Sequence, residues 1–340
     1  MARYVIIGAG AVGAAIAAGL DEAGIDVVLV SRGSTYAAIA AHGLTYTQDG
    51  RTRTLDLTVV DGADGVELAP DDVLVLAVKS QDAAATLADW AWRPVAGGGV
   101  AADLPLLLTQ NGLDAERAAL RYFATVVGGV TLVAGSHVVP GTVQIGTAPR
   151  IGQLIIGAYP SAAAAPGADA VAREIAEDLT KGNWLSEAVP EIDRWLAWKV
   201  LANATFAVSV LDGTPAELDR LRAGIVAEVR AVLGAAGYDF ADPAELSYDR
   251  SEAGIHPSYG DHKPSTWQSF ARGSGSEVDF LNGEVVLLAR AYAVDAPLNT
   301  ALQRVLGRSA ALGEGPGVHT VAEVLGAGGI DERSTEGAVA

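Results

Sequence analysis

Short apolar runs punctuate the first half of the chain. Tyr4-Val5-Ile6-Ile7 is the length of a strand buried on both faces. A glycine-rich turn follows, then an Ala-rich stretch to Leu20 that suits a helix. A second apolar run, Asp26-Val27-Val28-Leu29-Val30-Ser31-Arg32, comes next. The order predicts strand, helix, strand, which is a βαβ unit. A short helix to His42 comes after it. Residues 44–47 and 52–60 read as a hairpin around Asp49-Gly50. Residues 73–78 form the next buried run and end in Lys79-Ser80, with a helix over 84–92. Residues 101–109 are again apolar and end in Gln110-Asn111-Gly112-Leu113. Residues 125–134, 137–145 and 153–157 predict further strands, with Pro140-Gly141 as a turn. A small, Ala-rich loop at 161–167 leads to a helix at 171–180. From about Pro190 the texture becomes long helical patterns with no obvious strand. The expected layout is an α/β domain over 1–189, a helical domain over 190–326 and a flexible tail over 327–340.

Composition narrows the function. A chain of 340 residues, 50% hydrophobic, can bury two real cores. The net charge of −18 argues against a nucleic acid or an anionic membrane as partner. It leaves room for a small anionic substrate, because one site can be locally basic. There is no cysteine, hence no disulfide, thiol nucleophile or thiolate metal site. The five histidines are scattered without metal-ligand spacing, so no metal is expected. The first strand starts at once, without a signal peptide, and a cytoplasmic protein is the expectation. The sequence does not fix the oligomeric state, and a homodimer stays open.

The candidate chemistry lies at the ends of the predicted strands. Gly8-Ala9-Gly10-Ala11-Val12-Gly13 places three glycines as GxGxxG between strand and helix, the dinucleotide fingerprint in its expected setting. Gly8 permits a tight turn, Gly10 admits a pyrophosphate to the backbone, and Gly13 lets the helix pack on the strand. The helix N-terminus offers N–H groups to that phosphate. The alternative is a glycine turn that serves packing alone. At the end of the second strand an NAD site usually carries an acid for the ribose 2′-OH. Here Ser31-Arg32 stands instead, followed by Gly33-Ser34-Thr35. A guanidinium beside hydroxyls suits a 2′-phosphate, so NADP(H) is expected over NAD(H). Lys79 and Asn111 occupy two further strand ends, where ligands of open α/β sheets lie. Asn111 also fits a plain Asn-Gly turn.

The helical half carries a second group. Trp195, Lys199 and Asn203 are spaced four apart and share a helix face. A cation and an amide one turn apart on an apolar helix are costly unless used. The alternative is a polar stripe turned to solvent. The chain holds only four lysines, Lys79, Lys181, Lys199 and Lys263, against 19 arginines, which draws attention to each. Farther on, Ser265 opens Ser-Thr-Trp-Gln. Glu277 stands where a Gly/Ser loop enters a helix, with Ser274 or Ser276 as its cap. An acid there also simply suits the helix dipole.

Taken together, GAGAVG at the start, LAVKSQD around Lys79, TQNG around Asn111, WKVLAN around Lys199 and PSTWQ…SEVDFLNG around Ser265 and Glu277 resemble the ketopantoate reductase family. The late Pro297-Leu298-Asn299 fits as well, and the likeness runs from Gly8 to about Leu306. The resemblance implies a Rossmann domain followed by an all-α domain, with the active site in a cleft between them. It implies NADPH-dependent reduction of a 2-oxo acid, as of 2-dehydropantoate to pantoate. Lys199 then matches the general acid, with Glu277 in the catalytic region. Asn111, Asn203 and Ser265 match substrate ligands. Cofactor contacts fall to Gly8, Ala9, Gly10, Ala11, Val12, Gly13, Ser31, Arg32, Lys79, Asn111 and Glu277. The chemistry agrees, since a positioned ammonium stabilises and then protonates the oxygen of a reduced carbonyl.

The chain departs from the family pattern in three places. A second substrate asparagine is Ala207, expected to line the same helix face one turn beyond Asn203. The acid of a Ser-Met-x-x-Asp run is Ser269. The Arg-Pro before the glutamate motif is Ser274-Gly275. These changes leave the reaction type and open the substrate. The rival readings are a related reductase of another small carbonyl or imine, and an NADP-binding sensor without turnover. A sensor has no need of Lys199, Asn203 and Glu277 together.

Overall fold

The computed structural model describes residues 2–260, 263–273 and 275–329. The Ser274 alternative for the helix cap, and residues 330–340 of the expected tail, lie outside the described residues. By packing, the chain divides into two compact units. One comprises residues 1–110, 115–196 and 242–261; the other comprises 111–114, 197–241 and 262–340. This division runs differently from a single boundary at residue 190, because 242–261 return to the first unit.

The first unit begins with the βαβ unit read from the sequence: β1 (Arg3–Ile7), α1 (Ala11–Glu22) and β2 (Val27–Ser31). There follow α2 (Gly33–His42), β3 (Leu44–Gln48), β4 (Arg51–Leu55) and β5 (Thr58–Asp61). Next come β6 (Asp72–Leu76), α3 (Ser80–Trp90), β7 (Leu106–Leu108), α4 (Asp114–Ala119) and β8 (Val126–Leu132). The unit continues with β9 (Gly135–Ser136), β10 (Thr142–Ile145), β11 (Thr147–Pro149), β12 (Gln153–Tyr159), α5 (Ala168–Lys181) and β13 (Leu185–Ala188).

The main sheet has eight strands in the order β13-β12-β8-β7-β6-β1-β2-β5. All neighbours run parallel except β8 and β12. From β1 the chain first builds outward through β2, then returns to the other side of β1 with β6. That reversal is a topological switch point, where open α/β sheets bind ligands. Ile7 is in register with both Val30 and Leu76, and Leu76 with Leu108. The carboxyl ends of β2, β1, β6 and β7 therefore share one edge. The core beneath joins Tyr4 and Ile6 to Ala14–Ala18 of α1, and to Ile175 and Leu179 of α5. Alanines on α1 keep the helix close to the sheet.

Three strand readings change. Residues 52–60 are two strands: β4 pairs antiparallel with β3, while β5 pairs parallel with β2 in the main sheet. Buried Leu57 turns the corner between them, with no glycine or proline to mark it. Residues 137–141 are not strand; β9 and β10 flank them in the small sheet β4-β3-β10-β9. The half past Pro190 does contain a strand, β14 (Ala253–Ile255), which pairs antiparallel with β11 in the first unit.

Helix α6 (Ile192–Asn203) holds the division at 196/197 within its length. The second unit continues with α7 (Pro215–Ala235), α8 (Ser265–Ala271), α9 (Val278–Tyr292), α10 (Pro297–Ala311) and α11 (Val321–Ala327). Thr214 and Glu217 start α7 with a reciprocal capping box, and Pro215 fills its first turn. Leu221, Ile225, Val229 and Val232 form the buried stripe of α7. No helix among the described residues is long and apolar enough to cross a membrane.

Candidate functional site

In the first unit the glycine turn is shaped by what it cannot hold. Gly8 has φ +115°, and a Cβ there would meet the Ala77 carbonyl at 2.9 Å. A Cβ on Gly13 would overlap the Gly8 carbonyl oxygen. Gly10 differs: its φ is −76°, and a Cβ there would meet nothing within 4 Å. Gly10 is the N-cap of α1 and supplies no side-chain cap. The first-turn N–H groups, from Ala11 through Val12 to Gly13, have no intrahelical acceptor. Open space over bare helix-start amides is the surface a pyrophosphate requires, so the turn fits a dinucleotide. Ala9 is buried beneath it.

Ser31 closes β2 and is buried, and its carbonyl accepts the Gly62 N–H at 2.8 Å. Arg32 is the N-cap residue of α2, with its side chain 70% exposed. Its guanidinium lies 3.3 Å from Asp89 Oδ2 of α3. Lys79 is half-buried at the N-cap position of α3, three residues past the end of β6. The loop that carries it is held by a residue given no role in the sequence reading. Gln110 is buried, and its amide donates to the Leu76 and Val78 carbonyls, both at 2.9 Å. Thr109 Oγ1 also donates to the Leu76 carbonyl, at 2.9 Å.

Helix α6 turns the face of Trp195, Lys199 and Asn203 inward. Lys199 is 8% exposed, Asn203 0% and Trp195 2%. The alternative of a solvent-facing stripe is thereby overturned. Burial draws the Lys199 ammonium down from 10.5 to about 7, because a low-dielectric setting penalises the charged form. One turn on, Asn203 Nδ2 donates to Asn111 Oδ1 at 2.8 Å. Asn111 thus groups with α6. Gly112, with φ +103°, follows it close to α9; a Cβ there would stand 2.8 Å from the Phe280 carbonyl oxygen. Asn203 Oδ1 is buried with no hydrogen-bond partner among the described residues.

Glu277 is 8% exposed at the N-cap position of α9 and makes no side-chain cap bond to that helix. The cap bond comes from Ser276, whose Oγ accepts the Val278 N–H at 3.1 Å. Ser265 is the exposed first residue of α8. Ala207 is not on the extended face of α6. The helix ends at Asn203, and residues Phe206–Val210 form a 3-10 turn. The Thr205 N–H bonds back to Ala202 and the Val208 N–H to Thr205, three residues rather than four. The tighter winding breaks the spacing on which the shared face depended. Among the described residues no cluster of His, Cys, Asp and Glu could hold a metal ion.

The ends of α6, α9 and α10 meet in a buried polar chain that sequence reasoning also missed. Asn282 Nδ2 donates to the Ala204 carbonyl at 2.9 Å and to Asn299 Oδ1 at 3.0 Å. Asn299 Nδ2 donates to Glu228 Oε2 at 2.8 Å. Glu228 also accepts the Leu298 and Asn299 N–H groups at 2.8 and 2.9 Å. The signal in the sequence was an acid beside the apolar stripe of α7.

The model of the ketopantoate reductase PanE/ApbA family matches residues 4–161, and that of its C-terminal region matches residues 192–309. The chain belongs to the ketopantoate reductase family. Its curated relatives include the 2-dehydropantoate 2-reductase of Pyrococcus horikoshii, 26% identical over 92% of this chain and 99% of the relative. That of Archaeoglobus fulgidus is 26% identical over 88% and 95%. Among solved structures, D-mandelate dehydrogenase with NADH and anilino(oxo)acetate matches with a TM-score of 0.75 at 20% identity, over 92% of this chain and 99% of that one. The ketopantoate reductase of Ralstonia eutropha JMP134 gives a TM-score of 0.72 at 23% identity, over 92% and 99%. These two structures share the α/β and helical arrangement; their identities speak to fold alone.

Proposed function

We propose that the protein is an oxidoreductase that reduces the carbonyl of a small 2-oxo acid, of ketopantoate reductase type, with NADPH as cofactor. The observation that carries the reading is Lys199. It is a lysine buried on α6, brought to about 7, one turn from an asparagine that is itself hydrogen-bonded to Asn111. A general acid works best with a pKa near the operating pH. Burying a lysine costs stability, which is accounted for if the lysine is used.

The turn from Gly8 to Gly13 and the N-terminus of α1 would hold the pyrophosphate, and Ser31 and Arg32 the ribose 2′-phosphate. When bound, the dihydronicotinamide supplies a hydride to the carbonyl carbon. Lys199 Nζ holds the proton that the carbonyl oxygen takes up as its charge grows. The neutral amine left behind is reprotonated from solvent. Asn203, fully buried one turn beyond Lys199, takes a substrate-positioning role. Asn111 fixes the Asn203 amide through the bond it accepts from Nδ2. Glu277 and Ser265 take positioning roles, and Lys79 contacts the cofactor.

Support for the substrate class comes from three curated relatives that are 2-dehydropantoate 2-reductases. NADPH and NADH oxidation should be followed over a panel of 2-oxo acids that includes 2-dehydropantoate. Turnover with NADPH that vanishes in Lys199→Ala supports the reading. Tight nucleotide binding without turnover on any member of the panel would replace it with a sensor.

A further inference from the structure

We propose that Glu228, Asn299 and Asn282 form a polarised relay that holds the C-terminal end of the Lys199 helix, and that they are positioning residues for carbonyl reduction. The proposal rests on the reductase reading of Lys199 and Asn203.

The relay has a direction, and Glu228 sets it. Helix α10 begins at Pro297 after Ala296, which has no side-chain cap to offer. Glu228 of α7 supplies the missing acceptors, taking the Leu298 and Asn299 N–H groups. A carboxylate can only accept. The Asn299 amide must therefore turn its NH2 toward Glu228, and does so at 2.8 Å. That leaves Asn299 Oδ1 pointing at Asn282, whose NH2 turns to meet it at 3.0 Å. The second hydrogen of the same NH2 reaches the Ala204 carbonyl at 2.9 Å. Every amide orientation from α10 to α6 follows from one charge on α7.

The far end of the relay is the point that needs support. Ala204 follows Asn203 directly, where α6 stops and the winding tightens. Carbonyls at a helix end have no intrahelical donor, and a buried one without a partner is costly. Asn282 and Asn299 are fully buried, so water does not substitute. Asn282 Oδ1 is left without a partner among the described residues. An amide that merely filled space would gain nothing from leaving its oxygen bare. The arrangement sacrifices one acceptor to deliver a donor at Ala204. Asn203 and, a turn back, Lys199 are set by that anchor.

Two variants test this. Asn299→Ala keeps both backbone donors to Glu228 but removes the amide. Glu228→Gln keeps the shape but forces an NH2 against a donor. Each should lower kcat by about ten- to a hundredfold, the cost of a small misplacement at a reacting group, with little change in KM for the nucleotide. Leu302→Ala, a buried residue of α10 outside the relay, should lower Tm with kcat retained. The four lysines give a second readout that needs no turnover. In 13C-lysine-labelled protein the Lys199 titration should move up from about 7 in both relay variants, as the loosened helix end admits water. The other three lysines should titrate as in the parent. A loss of Tm with kcat and the Lys199 titration both unchanged would overturn the relay. Should the parent turn over no 2-oxo acid, the functional reading fails, and the Lys199 titration alone still decides the relay. If Asn299→Ala does not fold, Glu228→Gln carries the test.

Discussion

Asn203 on α6 donates its side-chain amide to Asn111 Oδ1 at 2.8 Å, across 92 residues of sequence. The bond joins a strand-end motif to the helix of Lys199. It also fixes the orientation of the Asn203 amide. If the two amides act as one device, Asn111→Ala and Asn203→Ala should each lower kcat/KM, and the double variant should be little worse than the poorer single. Residues in one hydrogen-bond network couple by about 0.5–3 kcal/mol. Strictly additive losses in the double-mutant cycle would show that the bond has no part in catalysis.

Lys199 gives opposite predictions for activity and stability. Reduction needs the ammonium, so kcat should fall as pH rises through about 7. Lys199→Ala should lower kcat by about 10²–10⁴-fold while nucleotide binding is kept. For stability the sign reverses. The folded-state pKa is about 7 against 10.5 unperturbed, so between those values the unfolded chain binds more protons. Stability from this site then rises with pH across that window, by about 1.4 kcal/mol per pH unit. Lys199→Met should be more stable than the parent below pH 7, and the gain should shrink toward pH 10. Urea melts at pH 6 and pH 9 read this directly; a gain that does not depend on pH would mean that the lysine is not buried as described.

Arg32 is expected to read the 2′-phosphate, but it shares its guanidinium with Asp89 at 3.3 Å. Arg32→Ala should raise KM for NADPH far more than KM for NADH. Asp89→Ala frees the guanidinium and should lower KM for NADPH. Equal effects of Arg32→Ala on the two nucleotides would take the phosphate away from this residue.

Gly10 and Gly13 should separate binding from folding. A Cβ on Gly13 collides with the Gly8 carbonyl, whereas one on Gly10 meets nothing within 4 Å. Gly13→Ala should lower Tm. Gly10→Ala should fold with normal Tm, yet lose most of the Tm increase that added nucleotide gives the parent. A normal nucleotide shift in Gly10→Ala would mean that no pyrophosphate approaches there.

The βαβ unit was legible because burial on both faces leaves an unbroken apolar run, and because glycine marks the turn. β14 was not. It is three residues, Ala-Gly-Ile, whose partner lies about a hundred positions earlier, and no local pattern encodes such a pairing. The burial of Lys199 and Asn203 was a balanced choice in the sequence, since their spacing shows a shared face but not which way that face turns. Ala207 was misplaced because the change of winding after Asn203 involves ordinary residues with no glycine or proline. The Asn282 and Asn299 amides stood inside quoted motifs, but a hydrogen-bond chain linking four helices is a tertiary fact.

The return of residues 242–261 to the first unit bears on how the protein can be cut. A fragment ending near residue 190 would remove Ala253–Ile255 and leave Thr147–Pro149 with an open hydrogen-bonding edge. It would also leave Arg150 and Glu187 without Glu252 and Ser247. Unpaired strand edges invite association with other chains, so such a fragment should aggregate on expression. The first unit is contiguous in space but not in sequence, and a workable excision must carry the 242–261 segment with it, joined by a linker or added as a peptide.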